Sequence, residues 1–134
     1  MDRPAKKNRG VCRFLPLAAL AAGLLWAGNF TVGLTQVRIC SKKLPAAFEG
    51  FRIVLVTDLH NRVFGPDNDW LIGQLEKAEP DLIALSGDIA DEDSDLEVLS
   101  ALLPRLTTIA PCVYVTGNHE WRMKNRAEWF SLLE

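Results

Sequence analysis

Three short polar clusters carry the residue types from which a reactive site could be built: TDLH with Asp58 and His60, SGDIAD with Asp88 and Asp91, and TGNHE with Asn118, His119 and Glu120. Carboxylate oxygens, imidazole nitrogens and amide oxygens are all ligands for first-row divalent ions. Asp58 and His60 are two apart, so on an extended strand they would project to the same side and could grip one ion. Asp88 has two oxygens and could bridge two ions about 3.5–4 Å apart, with Asn118 offering a neutral oxygen to the second. His119 need not be a ligand. Beside the ions it could protonate a leaving oxygen or stabilise charge on a phosphoryl group. Asp91 could hold its other nitrogen and tune its basicity. A metal-bridging hydroxide would then be the nucleophile. Gly87 and Gly117 precede Asp88 and Asn118, where a sharp turn or a close backbone approach is needed.

Each signal has a plainer explanation when taken alone. A lone DxH pair arises by chance or as a helix cap. Asp after Gly is ordinary turn chemistry. DIADEDSD reads as a solvated acidic loop, and His119 as a surface histidine. The conjunction argues otherwise: the chain contains two histidines, and both fall in these clusters.

The clusters need elements that bring them together. FRIVLVTD (51–58), DLIALS (81–86) and CVYV (112–115) are predicted strands. The unbroken IVLV run is the pattern expected where both faces of a sheet are covered. Leu71, Leu75 and Ala78 share one face of a predicted helix over 67–78, which Pro80 stops. Ser94 and Glu97 form a capping box for a helix over 94–103, and Asn125 and Glu128 another for a helix over 126–134. Residues 35–50 read as an extended segment and a turn. The alternation predicts a parallel α/β sheet with right-handed crossovers. Each polar cluster directly follows a strand, and in such a sheet the loops after the carboxyl ends converge on one edge.

The amino-terminal region is of another kind. From Phe14 to Val37 there are 24 residues without a charge, preceded by Arg3, Lys6, Lys7, Arg9 and Arg13 against Asp2 alone. About 20 such residues in a helix would cross the hydrocarbon layer. Residues 1–13 are therefore a basic flank expected to stay cytoplasmic, and 14–37 a transmembrane helix or a signal segment. Residues 38–134 would lie on the non-cytoplasmic side, anchored to the cell membrane or exported after cleavage. The flank carries a net +4 and the whole chain −2, leaving −6 for the remainder. That balance argues against nucleic acid as a partner. Cys12, Cys40 and Cys112 have no zinc-ribbon or CxxC spacing and are expected to be plain buried thiols, a Cys40–Cys112 disulfide being the alternative.

With these residues in order, the sequence resembles the calcineurin-like metallophosphoesterases, and the hydrophobic amino-terminal segment with FRIVLVTDLH resembles their membrane-associated bacterial branch. The family pattern D-x-H, G-D-x-x-D, G-N-H-[DE] stands here as Asp58-Leu-His60, Gly87-Asp88-Ile-Ala-Asp91 and Gly117-Asn118-His119-Glu120. The resemblance implies an α/β fold, the N-terminal half of an αββα sandwich preceded by a hydrophobic helix. It implies two divalent metal ions (manganese, iron, zinc or nickel-like) and hydrolysis of phosphate monoesters or diesters. Asp58 and His60 would bind the first metal, Asp88 would bridge, and Asn118 would bind the second. His119 would be the catalytic histidine and Asp91 its partner, while Glu120 receives no role. The family completes its site with a further histidine and a G-H-x-H motif. This chain has no histidine after His119, so the expectation is an N-terminal portion of the domain.

The rival reading is a membrane-tethered phosphate-binding or scaffolding module with a degenerate metal site and no turnover. A magnesium-dependent phosphotransferase with an Asp nucleophile fits less well, because histidine in DLH is a poor magnesium ligand. No GxxxxGK[ST] loop occurs. The substrate expected is a phosphorylated small molecule or a lipid-linked phosphate. Trp70, Trp121 and Trp129 read as packing residues rather than a pocket lining.

Overall fold

In a computed structural model, residues 11–93 and 96–133 are described. The chain divides after Thr31 into two compact units. The first contains helix α1 (Val11–Phe30), with Pro16 inside it. Residues 31–40 carry no regular secondary structure. Among the described residues, no helix is long and apolar enough to cross a membrane.

The second unit is a parallel sheet with its crossover helices. Strands β1 (Ile53–Val56), β2 (Leu82–Ser86) and β3 (Cys112–Val115) lie in the order β1-β2-β3. Val54 pairs with Ile83, and Ile83 with Cys112. Helix α2 (Asp69–Ala78) connects β1 to β2, and α3 (Leu96–Ile109) connects β2 to β3. Two short helices follow, α4 (Asn118–Arg122) and α5 (Arg126–Ser131).

The core forms where the apolar periods of strand and helix meet. Val54, Ile83 and Leu85 pack with Leu71, Ile72 and Leu75 of α2 and with Leu99, Leu102 and Leu106 of α3. Trp129 of α5 is fully buried, and its indole N–H donates to the Tyr114 hydroxyl at 3.1 Å. Burying each such aliphatic side chain contributes about 1.5–3 kcal/mol. At the open end of the helix pair, Arg105 of α3 meets the Asp69 carboxylate of α2 at 2.7 Å.

Several expectations need correction. The second covering layer expected from the IVLV run is not among the described residues. Ile53 and Leu55 are 58% and 63% exposed, and Val113 and Val115, on the same face by register, are 49% and 64% exposed. Among the described residues the sheet is packed on one face. Helix α3 runs six residues beyond the predicted 103 and passes through Pro104. The apolar stripe continues with Leu106 and Ile109, so packing outweighs the hydrogen bond that proline removes. The expected capping box of Ser94 with Glu97 lies outside the described residues. Asn125 stands before α5 but makes no side-chain capping bond, and that helix ends at Ser131. Cys40 and Cys112 are free thiols, the first exposed and the second partly buried. Of the tryptophans, Trp129 is a core residue, whereas Trp70 and Trp121 are 46% and 57% exposed.

Candidate metal centre

The three strand exits meet at the carboxyl edge of the sheet, and backbone hydrogen bonds hold the first two side by side. The N–H groups of Asp58, His60 and Asn61 donate to the carbonyls of Gly87, Asp88 and Ile89 at 3.2, 3.0 and 2.9 Å. The pairing of β1 with β2 thus continues past the regular strands. Asp58, His60, Asn61 and Asp88 all have positive φ, between 49° and 55°. Asp, Asn and His tolerate this left-handed region better than branched residues do. Asp58 and His60 therefore do not share a side by strand alternation, as the spacing suggested. They converge because the chain turns: His60 Nε2 lies 3.9 Å from Asp58 Oδ1.

The third exit is held by a close approach. A Cβ on Gly117 would collide with the backbone nitrogen and carboxylate of Asp88, and one on Gly87 would meet the backbone of Gly117. Only glycine at both positions lets the two loops lie this close. Beyond Gly117 the chain forms a helix rather than the expected loop. Asn118 opens α4, and the His119 N–H, in its first turn, donates to Asp88 Oδ1 at 3.0 Å. A carboxylate from a neighbouring loop thus caps an amide that the helix leaves unpaired.

The side chains then gather in two groups that share His60. Ligand atoms of Asp58, His60 and Asp88 lie within 4.8 Å of one another, as do those of His60, Asp91 and His119. His119 Nδ1 sits 2.7 Å from Asp91 Oδ1, and His60 Nδ1 lies 4.0 Å from the same oxygen. The two imidazoles meet edge to face, with centroids 4.6 Å apart. The Asp91 carboxyl is held below its ordinary range, first by the Glu92 backbone N–H and then by His119. A cleft of about 380 Å³ is lined by His60, Asn61, Asp91, Glu92 and Asp93. The Asn61 side-chain oxygen is buried and has no hydrogen-bond partner among the described residues.

These donors suit divalent ions: mixed carboxylate and imidazole, converging within the span of one coordination sphere. Asp58, His60, Asp88, Asp91 and His119 are brought together. Asn118 is exposed beside them, at the first residue of α4. Sequence reasoning gave Glu120 no role, yet it is fully buried between the second and third exits. Its signal was legible in one respect. Glu at the third position of a helix capped by Gly117 is the reaching-back half of a capping box, and its carboxylate does accept the Gly117 N–H at 2.8 Å.

Fold and ligand clusters together define a metallophosphoesterase-type site. A family model described as calcineurin-like phosphoesterase matches residues 51–134, and the chain belongs to that family. It is 32% identical over 106 residues to a cattle transmembrane protein with metallophosphoesterase domain, covering 75% of this chain and 23% of that one. It is 32% identical over 132 residues to the uncharacterized metallophosphoesterase YkuE of Bacillus subtilis, covering 86% and 46%. Against the putative metallophosphoesterase F40B5.2 of Caenorhabditis elegans it is 30% identical over 137 residues, covering 96% and 28%. The chain thus spans between about a quarter and a half of the curated relatives it matches. No solved structure matches.

Proposed function

We propose that this domain serves a two-metal phosphoesterase acting on phosphate monoesters or diesters. The observation that carries the reading is the Asp58–His60–Asp88 ligand cluster, with His119 held by Asp91 beside His60. Asp58 and His60 would hold the first ion, Asp88 would bridge, and Asn118 would serve the second. The ions, when bound, polarise the phosphoryl oxygens and generate the attacking nucleophile from water. The chain's own part is to position and to move one proton. Asp91 orients the His119 imidazole through Nδ1, and Nε2 is left to meet the leaving oxygen.

The reading extends to location. The uncharged stretch 14–37 behind a basic flank supports insertion in the membrane, or passage through it, with the domain on the non-cytoplasmic side. The cattle relative is named a transmembrane protein, which agrees with an anchor. A membrane-borne domain is well placed for a lipid-linked phosphate, although a soluble phosphate ester suits the same ligands.

The test is the metal content of the full-length protein. Asp88→Ala is expected to lose more metal than His60→Ala, since one residue touches both ions and the other a single ion. Two ions retained per chain in Asp88→Ala, by elemental analysis, would contradict the bridging role. Saturable phosphate binding by a metal-loaded wild type without turnover would instead select a binding or scaffolding module.

A further inference from the structure

Glu120 is a fully buried carboxylate that neither the ligand sets nor the proton path uses. Its Oε1 accepts the N–H groups of Ile89 at 2.6 Å and Ala90 at 3.1 Å. Its Oε2 accepts those of Asp88 at 3.0 Å and Gly117 at 2.8 Å. Three of these donors belong to the loop after β2, which carries Asp88 and Asp91. The fourth belongs to the turn that carries Asn118 and His119. In return, Asp88 Oδ1 accepts the His119 N–H. The two loops therefore exchange carboxylates across a gap of some thirty residues of sequence.

This exchange supplies what the local chain cannot. Asp88 sits at φ 52°, a sparsely populated region that persists only where its surroundings over-determine it. Gly87 and Gly117, at the point of closest approach, have no side chains with which to fix the separation. An ionised carboxylate accepts at both oxygens, as four backbone donors require.

We propose that Glu120 is a positioning residue, a clamp that locks the Asp88–Asp91 loop to the Asn118–His119 turn so that the ligand clusters are formed before any ion arrives. Its value to metal binding rests on the metal-dependent reading above. The clamp itself is a property of the metal-free protein, and it can be tested separately.

Glu120→Gln keeps the volume but replaces one acceptor oxygen with an NH₂ group, setting donors against two of the four amides. In the metal-free full-length protein, hydrogen exchange at Asp88, Ile89, Ala90 and Gly117 is expected to speed by about tenfold or more, the scale of a lost charge-assisted bond. Exchange at Ile83 and Leu85 in β2 should stay unchanged. Calorimetric titration with Mn²⁺ should show affinity weakened about 10- to 100-fold, as for other residues that orient ligands. Glu120→Asp keeps the charge but is one methylene shorter, and should fall between. It also stands in if the Gln variant does not fold. Glu76→Gln, exposed on α2, should match wild type in both measurements. Unchanged exchange at the four amides overturns the clamp. So does uniform acceleration through β2 with Mn²⁺ affinity intact, which would mark Glu120 as a general stability residue. A wild type that binds no Mn²⁺ and cleaves no phosphoester defeats the functional reading, while the exchange comparison still decides the clamp.

Discussion

In the proposed reading His119 stays out of the ligand set while lying within reach of it. With Nδ1 taken by Asp91 at 2.7 Å, the proton chemistry would then fall to Nε2. An imidazole can donate a proton to a leaving oxygen, which the neighbouring amide of Asn118 cannot. His119→Ala is therefore expected to keep bound metal yet slow turnover by about 100-fold or more on a phosphoester with a poor leaving group. The deficit should shrink with nitrophenolate, which needs little protonation. An equal loss of kcat on both substrates would argue against the acid role, and loss of metal would make His119 a ligand. Asp91→Asn should give a milder form of the same pattern. The Asp91 carboxyl lies below its ordinary value in the folded protein, so its pairing is in force at neutral pH. Its contribution to stability is present above the unfolded value of 3.8 and is lost as pH falls through the lower folded one.

Among the elements, α3 shows how packing overrides a local rule. Proline in a helix interior costs about 3 kcal/mol through a missing N–H and a ring clash. Pro104 is exposed and lies midway in the helix, while Leu99, Leu102 and Leu106 on the buried side are at most 2% exposed. Pro104→Ala restores the donor to the Ser100 carbonyl without touching the core. The expected outcome is a rise in unfolding free energy of about 1–3 kcal/mol, set against a smaller loss from a more flexible unfolded chain. Leu99→Ala should move the other way by about 2–5 kcal/mol. Urea denaturation of the two variants checks both signs. A destabilised Pro104→Ala would mean that α3 depends on the φ that proline fixes.

On the scale of the whole molecule, the two units make separate demands. The second buries one face of a parallel sheet and leaves Ile53, Leu55, Val113 and Val115 facing outward, although parallel sheets are usually covered on both sides. The first is governed by its uncharged run and basic flank. If residues 14–37 insert in or pass through the membrane with the amino end cytoplasmic, reporter domains fused after Lys43 should be active only where export permits. Activity of a cytoplasm-dependent reporter at that junction would sink the assignment.

The three strands, the α2 helix and the five residues that converge were legible in the sequence, because strand and helix periods differ and each polar cluster directly follows an apolar run. The sequence offered Asp91 as a partner for His119, and the fold brings the two together across 28 residues. Tertiary structure alone decided the rest. Asp58 and His60 meet through left-handed turns, which alternation along a strand does not encode. Helix α3 crosses Pro104 because its partners in the core lie elsewhere in the chain. Glu120 shows in the sequence only as half of a capping box, and its hold on the loop after β2 exists only once that loop arrives beside it. Its four donors come from two segments about thirty residues apart, and a contact of that kind exists only once the sheet has brought the segments together.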